Sequence, residues 1–278
     1  MKLKLWQVDA FTDKVLAGNP AAVVPLEAWL DTALMQGIAA ENNLAETAFF
    51  VRTAPGAYDL RWFTPNSEVD LCGHATLASA DIIFRFLEPD LNEVRFQTRS
   101  GELKVTRGGA EGNLMAMPAA QSEPFPPPDG FAAALAKTLN ASEPMELHYS
   151  SKGGAGAGAL IAVWNSPDKV KALKPNGDLE AILLQVKAGS LLATSPGDGK
   201  PYDFVSRFFA PHFGVPEDPV TGSAHTALTP FWAKRLGRSK LKARQASARG
   251  GDLLCTDDGA RVILQGPCAL YLTGEIEV

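Results

Sequence analysis

The sequence predicts an α/β protein in which two similar halves follow one another, with strands predominating and one buried helix in each half. The first observation behind this prediction is an internal repeat, because Arg61-Trp62-Phe63-Thr64-Pro65 returns as Arg207-Phe208-Phe209-Ala210-Pro211. The second is a stretch over residues 71–84 whose only charged residue is Asp81. A helix that is apolar on all sides is typically buried. The third is the series of short apolar runs bounded by Gly and Pro, which predict strands.

The first half begins with a strand over residues 2–8, where Lys and Leu alternate. Apolar residues at helical spacing then predict a helix over residues 26–40, and Asn42-Asn43 ends it. The buried helix follows over residues 71–84. The other strands predicted in this half are 47–51, 58–63, 94–98, 102–107 and 113–117.

A proline-rich stretch over residues 119–128 predicts a linker between two domains. We expect the first domain to span residues 1–118, completed by the C-terminal strand 268–278, and the second to span residues 129–267. The helices predicted in the second half are 131–139, 178–187 and 231–236. The strands predicted there are 146–150, 160–164, 189–194, 202–209, 241–247, 252–256, 260–265 and 268–277.

The composition excludes several classes of protein. The net charge is −5, from 26 Lys and Arg against 31 Asp and Glu, whereas a general nucleic-acid binder presents a basic face. No stretch reaches the roughly 18 apolar residues that would cross a membrane, and charge interrupts the N-terminus too early for a secretory signal. Three cysteines make no disulfide framework. We therefore expect a cytoplasmic protein that binds neither nucleic acid nor membrane.

The repeat also aligns two helix starts, Cys72-Gly73-His74 with Thr221-Gly222-Ser223, if three residues are inserted into the second copy. This alignment places Glu217 and Asp218 in the insertion. The first N–H groups of a helix lack intrahelical partners and lie at the positive end of its dipole. A glycine there lets a ligand approach the backbone closely. Two such ends are expected to hold a small carboxylate in a cleft between the domains.

Five side chains near these motifs are candidates for the site. Glu46 opens an apolar strand, where it is either a solvated strand end or a desolvated general acid or base. Cys72 is either a buried structural thiol or a thiolate whose pKa the helix N-terminus depresses. His74 is either a capping residue or a neutral group that donates or accepts a proton. Asp218 and Ser223 are expected to cap the second helix, which does not exclude substrate contact.

Two groups of residues resemble cofactor sites but lack the features that such sites require. The stretch Gly154-Ala155-Gly156-Ala157-Gly158-Ala159 fits a dinucleotide-binding fingerprint, but that fingerprint needs a helix after it and the next residues predict a strand. We interpret the stretch as a loop before a strand. Cys72, His74 and His225 do not have the paired spacing of a zinc site. We therefore expect neither a nucleotide nor a metal.

The string Glu217-Asp218-Pro219-Val220-Thr221-Gly222-Ser223-Ala224-His225 is the most specific motif of the chain. It is accompanied by four shorter motifs over residues 18–23, 44–49, 70–76 and 98–101. Together these motifs resemble the phenazine-biosynthesis (PhzF-like) protein family, whose fold is similar to that of diaminopimelate epimerase. The resemblance covers essentially the whole chain.

The resemblance implies two α/β domains, each a curled and mostly antiparallel sheet around a central buried helix, with the active site between them. It also implies a homodimeric isomerase that needs no cofactor or metal and shifts a proton within a small cyclic amino-carboxylate. The position matching the acid/base carboxylate of the family is Glu46. The positions matching its substrate contacts are His74, Asp218 and Ser223, with the backbone amides of Gly73 and Gly222.

Epimerases of this fold use two opposed cysteines, and the matching positions here are Cys72 and Thr221. A threonine hydroxyl is too weak an acid to replace a thiol, which disfavours inversion by two bases. We predict a cofactor-independent isomerase in which Glu46 alone moves a proton within a small amino-carboxylate or cyclic carboxylate. The alternatives are a racemase, epimerase or dehydratase that depends on Cys72, a cysteine hydrolase using Cys72 and His74, and a non-enzymatic carboxylate-binding protein.

Overall fold

The chain forms two compact units in a computed structural model that describes residues 1–153, 158–199 and 201–278. Unit 1 comprises Met1–Met117 and Leu264–Val278, and unit 2 comprises Pro118–Ile263. The chain therefore leaves unit 1 once and returns to it with its C-terminal segment. No helix in the described part is long and apolar enough to cross a membrane.

Strands and helices are numbered in chain order. The strands are β1 Lys2–Ala10, β2 Asn19–Leu26, β3 Glu46–Ala54, β4 Ala57–Phe63, β5 Glu68–Val69, β6 Glu93–Thr98, β7 Gly101–Thr106, β8 Asn113–Pro118, β9 Glu123–Pro124, β10 Glu146–Ser150, β11 Ala159–Val163, β12 Ser190–Pro196, β13 Phe204–Ala210, β14 Val215–Asp218, β15 Lys240–Gln245, β16 Gly251–Asp257, β17 Arg261–Gly266 and β18 Cys268–Glu277. The α-helices are α1 Thr32–Asn42, α2 Gly73–Ile82, α3 Phe131–Thr138, α4 Pro167–Lys171, α5 Leu179–Gln185 and α6 Gly222–Leu236.

Unit 1 is a mixed sheet packed around α2. Strands β1–β2, β3–β4, β6–β7 and β7–β8 pair antiparallel, β2–β3 and β4–β6 pair parallel, and β18 pairs antiparallel with β1. All ten residues of α2 are buried, and the helix packs against β1, β2, β3, β7 and β18. Its hydroxyls at Thr76 and Ser79 donate to carbonyls one turn back, at 2.6 and 2.7 Å, which satisfies polar groups inside the core.

Unit 2 repeats the same order of strand pairings. Strands β10–β11, β12–β13 and β15–β16 pair antiparallel, and β11–β12 and β13–β15 pair parallel. The short strand β9 pairs antiparallel with β10, as β18 does with β1 in unit 1. Helix α6 carries ten buried residues and packs against β15 and β16. The predicted fold class, two similar α/β domains each built around a buried helix, is therefore confirmed.

The register of the two copies corrects the alignment of the repeat. In unit 1 Trp62 pairs with Val69, and in unit 2 Phe208 pairs with Asp218. Glu217 is therefore the counterpart of Glu68, and placing it in the three-residue insertion was wrong. The extra residues instead lie in the loop around the 3₁₀ turn Pro211–Phe213, and the equivalent described loop of unit 1, between β4 and β5, has no such turn.

The two copies also share one ion pair. The Arg61 guanidinium binds the Glu68 carboxylate through two contacts of 2.7 and 2.8 Å. Arg207 binds Glu217 in the same way, at 2.7 and 2.9 Å. A bidentate arginine–carboxylate pair fixes the relative position of two strands. In each unit it ties the repeated aromatic strand to the short strand that leads into the buried helix.

The structure differs from the predicted elements at two helix starts. The helix predicted over residues 26–40 begins only at Thr32, where the Asp31 side chain accepts a hydrogen bond from the Ala33 N–H at 2.8 Å. Of the residues before it, only Leu26 belongs to β2, and residues 27–31 form neither strand nor helix. The last helix begins at Gly222, where the repeat predicts a helix start, and not at 231, where spacing predicts it, because α6 continues through Pro230. Spacing alone does not reveal that a helix tolerates an internal proline.

The proline-rich segment 119–128 belongs to unit 2. Its residues Glu123 and Pro124 form β9, and the Phe125 N–H donates to the Leu147 carbonyl at 2.9 Å. The Phe125 ring packs against the apolar core of unit 2. Of the dinucleotide-like stretch, residues 154–157 lie outside the described residues, and the strand β11 follows it rather than a helix.

Candidate active site

Unit 1 brings Glu46 to the end of a strand in its interior. Helix α1 ends at Asn42, and the left-handed conformation of the next residue, Asn43 (φ 47°), turns the chain towards β3. Glu46 is the first residue of β3 and lies opposite Ala21 of the parallel strand β2. Its side chain is only 16% exposed. The carboxylate is therefore a partly desolvated group rather than a solvated strand end.

The first turn of α2 places a thiol and an imidazole beside this carboxylate. Cys72 precedes the helix in an extended conformation, and Gly73 and His74 are the first two helical residues. The His74 Nε2 lies 3.0 Å from the Glu46 Oε2. The other ring nitrogen, Nδ1, lies 3.5 Å from the Cys72 Sγ and 3.1 Å from the Asn19 Nδ2. Three of the predicted site residues therefore converge in unit 1.

Two atoms of this cluster retain hydrogen-bonding capacity. The Glu46 Oε2 and the His74 Nε2 are close enough for a charge interaction, but they are not aligned as donor and acceptor. Both are buried atoms without a hydrogen-bond partner among the described residues. The two atoms therefore contact each other by charge, and no other described group binds either of them by a hydrogen bond.

The electrostatics of the cluster correct two expectations. Burial, helped by the nearby Glu46 carboxylate, raises the pKa of the Cys72 thiol to about 11. The prediction of a depressed pKa was wrong because desolvation outweighs the effect of the helix N-terminus. Burial lowers the pKa of His74, but the Cys72 sulfur and the Glu46 carboxylate together hold it well above its usual value. The expected neutral imidazole is therefore corrected to a ring that favours the protonated form.

Unit 2 carries a second polar cluster at the start of α6. The Thr221 hydroxyl donates to the Asp218 carboxylate. The Gln245 side chain accepts from the Thr221 N–H at 2.8 Å and donates to the Asp218 carbonyl at 2.8 Å. Gln245 is fully buried at the end of β15. No sequence motif marks Gln245 as part of a site. The one feature that could have indicated it is its place in the strand that runs parallel to β13.

Ser223 does not cap the helix as expected. The extended residue before α6 is Thr221, and the helix begins at Gly222. Ser223 is therefore the second helical residue, where its carbonyl accepts from the Thr226 hydroxyl at 2.7 Å. Gly222 occupies the first helical position in unit 2, as Gly73 does in unit 1.

The loops before both helices are held by equivalent serines. The Ser100 hydroxyl donates to the Asp70 carbonyl at 2.7 Å, and the Ser247 hydroxyl donates to the Pro219 carbonyl at 2.8 Å. Ser247 is partly buried and also accepts from the Gly250 N–H at 2.9 Å, whereas Ser100 is exposed. The repeat therefore conserves not only strands and helices but also the tether that positions each helix start.

These tethers differ in their expected contribution to stability. Ser247→Ala removes two hydrogen bonds from a partly buried site and is expected to lower the free energy of unfolding by about 1 kcal/mol. Ser100→Ala removes an exposed contact, which water replaces, and is expected to cost less than about 0.5 kcal/mol. Urea unfolding of the two matched variants measures both values. Equal losses would contradict the difference in burial.

Comparison with known proteins identifies the family. The family model described as phenazine biosynthesis-like protein matches residues 8–274. A Pseudomonas aeruginosa protein named as an uncharacterized isomerase is 45% identical over 280 residues, covering 100% of both chains. The chain belongs to the phenazine biosynthesis-like protein family. A human protein named as phenazine biosynthesis-like domain-containing is 36% identical and covers 99% of both chains.

Solved structures agree with this assignment. A crystal structure of a PhzF-family phenazine biosynthesis protein from Enterococcus faecalis matches with a TM-score of 0.88 at 38% identity, covering 100% of both chains. A hydroxyproline epimerase from Agrobacterium vitis matches with a TM-score of 0.64 at 11% identity, covering 99% of this chain and 91% of that one. The second likeness concerns the fold alone. The family resemblance predicted from the motifs is confirmed, and relatives named as isomerases support a general isomerase role.

Proposed function

We propose that the protein is a cofactor-independent isomerase that moves a proton within a small amino-carboxylate or cyclic carboxylate, with Glu46 as its single acid/base group. The observation that carries the proposal is the buried cluster of unit 1 in which the Glu46 Oε2 faces the His74 Nε2 at 3.0 Å, beside the first turn of α2. A carboxylate with an open lone pair, held in a partly desolvated place, is suited to remove a proton from a bound substrate.

The reaction balances without an external reactant. The Glu46 carboxylate takes a proton from a C–H bond that the substrate's conjugated system activates, and the electron pair of that bond shifts into the conjugated system. The proton on the Glu46 carboxylic acid exchanges with solvent while the intermediate is bound, and the acid then delivers a proton to another atom of that system. His74 orients the substrate beside the carboxylate, and the Gly73 N–H at the start of α2 binds the substrate carboxylate. The product is an isomer, and the enzyme returns to its starting state.

A Cys72-dependent racemase, epimerase or dehydratase is less well supported. Such an enzyme needs a thiolate, and burial holds the pKa of this thiol at about 11. At neutral pH the thiol form then dominates and the thiolate is scarce. The same scarcity argues against a cysteine hydrolase using Cys72 and His74.

Replacing the thiol tests this choice. Cys72→Ser is expected to retain at least about a third of the proton-exchange rate, because the thiol takes no part in the proposed transfer and serine is nearly isosteric. The exchange rate is measured by proton NMR in D₂O. A loss of 100-fold or more in a folded variant, as judged by circular dichroism, would favour the Cys72-dependent reaction instead.

The proposed function is tested with a panel of cyclic and linear amino-carboxylates. Compounds that raise the melting temperature are selected as ligands, since binding to the native state stabilises it. Each ligand is then incubated with the enzyme in D₂O, and mass spectrometry records deuterium uptake. We expect at least one ligand to incorporate deuterium and form an isomer. Ligands that bind without any exchange would support the non-enzymatic carboxylate-binding protein.

The remaining assignments stay predictions. The sequence assigns Asp218, Ser223 and the Gly222 amide of unit 2 to the same substrate. The composition predicts a cytoplasmic protein, and the family resemblance implies a homodimer. The panel experiment addresses the substrate, and sedimentation velocity of the purified protein addresses the homodimer.

A further inference from the structure

We propose that Glu46, Cys72 and His74 form a binding site for one thiophilic divalent cation of the Zn²⁺ class, and that a cation bound there blocks the isomerase. The second half of this proposal rests on the proposed role of Glu46. The first half rests only on the donor atoms and their arrangement in unit 1.

The three side chains supply one oxygen, one nitrogen and one sulfur donor within 4.8 Å of one another. In the described part of the chain this is the one group of three such donors. Ligands of a tetrahedral zinc ion, bound at about 2.0–2.3 Å, lie about 3.3–3.8 Å apart. The His74 ring lies between the other two donors, with its Nε2 3.0 Å from the Glu46 Oε2 and its Nδ1 3.5 Å from the Cys72 Sγ. Because a single ring nitrogen binds the ion, the site requires side-chain rotations that bring the Glu46 oxygen and the Cys72 sulfur to the same ring nitrogen, within the 4.8 Å that separates the three donors.

The burial of the donors favours an ion over water. Cys72 and His74 are only 6% and 4% exposed, and the Glu46 side chain is 16% exposed. The Glu46 Oε2 and the His74 Nε2 have no hydrogen-bond partner elsewhere among the described residues, so a cation replaces only their mutual 3.0 Å contact. The Glu46 side chain is the most exposed of the three, so we expect the ion to reach the site along it. Three protein ligands also leave a fourth position for a water molecule.

The donor set indicates the class of cation. Sulfur and imidazole nitrogen are preferred by Zn²⁺ and Cd²⁺, whereas Mg²⁺ and Ca²⁺ prefer sets made of oxygen alone. On binding, the Cys72 thiol and the protonated His74 ring each release one proton to solvent, and the resulting thiolate forms the sulfur–metal bond. A ring nitrogen of His74 and a carboxylate oxygen of Glu46 supply the other two electron pairs. The lone pair of Glu46 that would remove the substrate proton is then occupied.

The spacing of residues in the sequence did not predict this site. The zinc group weighed from the sequence combined Cys72 and His74 with His225, which belongs to unit 2. The third donor is instead Glu46, which reaches the start of α2 only because β3 runs beside β2. No local motif contains all three residues.

Cadmium is the probe for the test, because a cysteine–cadmium bond adds an ultraviolet charge-transfer band. Metal-free, untagged protein is titrated with Cd²⁺, and Zn²⁺ is then added to compete. We expect one Cd²⁺ per chain, displaced by Zn²⁺. The band should disappear in Cys72→Ser, and the affinity should fall at least about tenfold in Glu46→Gln. The matched control is Cys268→Ser, which removes another buried cysteine outside the cluster and should leave the band unchanged.

The outcomes separate this inference from the proposed function. Wild-type protein without the band, or a band that survives in Cys72→Ser while Cys268→Ser loses it, would overturn the cation site. Circular dichroism and melting temperature check that each variant is folded. Zn²⁺ should also stop deuterium exchange in the wild-type enzyme, and a chelator should restore it. A band in protein that shows no exchange with any ligand would support the cation site and remove the support for the isomerase.

Discussion

Glu46→Gln is expected to slow deuterium exchange into the substrate by at least about 100-fold while leaving substrate binding nearly unchanged. The glutamine amide has almost the same shape as the carboxylate, so the side chain still fits beside His74 in the position that the wild-type carboxylate occupies, 3.0 Å from the ring. It has no lone pair basic enough to remove a proton from carbon, and general-base catalysis typically contributes 10²–10⁴-fold. The measurement is the exchange rate in D₂O together with the ligand-induced rise in melting temperature.

The matched control for this variant is Glu41→Gln. Glu41 lies in α1, five positions earlier, and is exposed. The control removes the same charge from the same unit without touching the cluster, so its exchange rate should stay within about twofold of the wild type. Full turnover by Glu46→Gln would refute the assignment of the base. Equal losses in both variants would indicate an effect of net charge rather than of the acid/base group.

Much of the fold follows from patterns that are local in the sequence. The buried helix α2 was predicted because Asp81 is the only charged residue in its neighbourhood, and in the structure every residue of the helix is buried. The repeat of Arg61 and Arg207 predicted two similar units, and the two bidentate ion pairs with Glu68 and Glu217 agree with it. Such features are predictable because one run of residues carries the whole signal.

The predictions that were wrong concern features that depend on residues far apart in the chain. The pKa of Cys72 was predicted from its place at a helix N-terminus, which is a local feature. Burial instead raises the pKa of Cys72, and this burial results from the packing of several strands around α2. The cluster of Glu46 with His74 likewise needs β2 and β3 to pair in parallel. No spacing within one element encodes that pairing.

The alignment of Glu217 failed for a related reason. Counting residues between Phe209 and Gly222 shows that three are extra but not where they lie. The register of β13 with β14, in which Phe208 pairs with Asp218, places them in the loop around Pro211–Phe213. Hydrogen-bond register is a property of paired strands, so only the structure could assign the insertion.

His225 is a buried neutral histidine that holds the first turn of α6. Its Nδ1 lies 2.8 Å from the Thr221 carbonyl, which can only accept, so this nitrogen carries the proton. Its Nε2 lies 3.4 Å from the Ser206 hydroxyl, which donates to it. The ring is fully buried, and burial lowers the pKa of His225 to about 4. The native state therefore resists protonation of this ring, whereas the unfolded chain accepts a proton near pH 6.5.

Acidification is accordingly expected to lower the free energy of unfolding, because His225 becomes protonated in the unfolded chain. A group whose folded pKa is depressed contributes stability that is complete above its unfolded pKa and is lost as the pH falls towards its folded value. Between pH 6.5 and pH 4.5 this loss amounts to about 2–3 kcal/mol, at roughly 1.4 kcal/mol per pH unit. Asp81 in unit 1 contributes with the opposite sign, because burial raises its pKa to about 6. The comparison of wild type with a variant is therefore needed to isolate His225.

The variant is His225→Asn, whose amide nitrogen can still donate to the Thr221 carbonyl but which does not titrate. At pH 7 it is expected to be less stable than the wild type, because the smaller side chain leaves a cavity beside Phe204. At pH 4.5 that difference should shrink by about 2–3 kcal/mol, since only the wild type loses the stability linked to protonation. Urea unfolding at both pH values measures the difference. A difference that stays constant between pH 7 and pH 4.5 would contradict a neutral, buried His225 and would indicate that water reaches the first turn of α6.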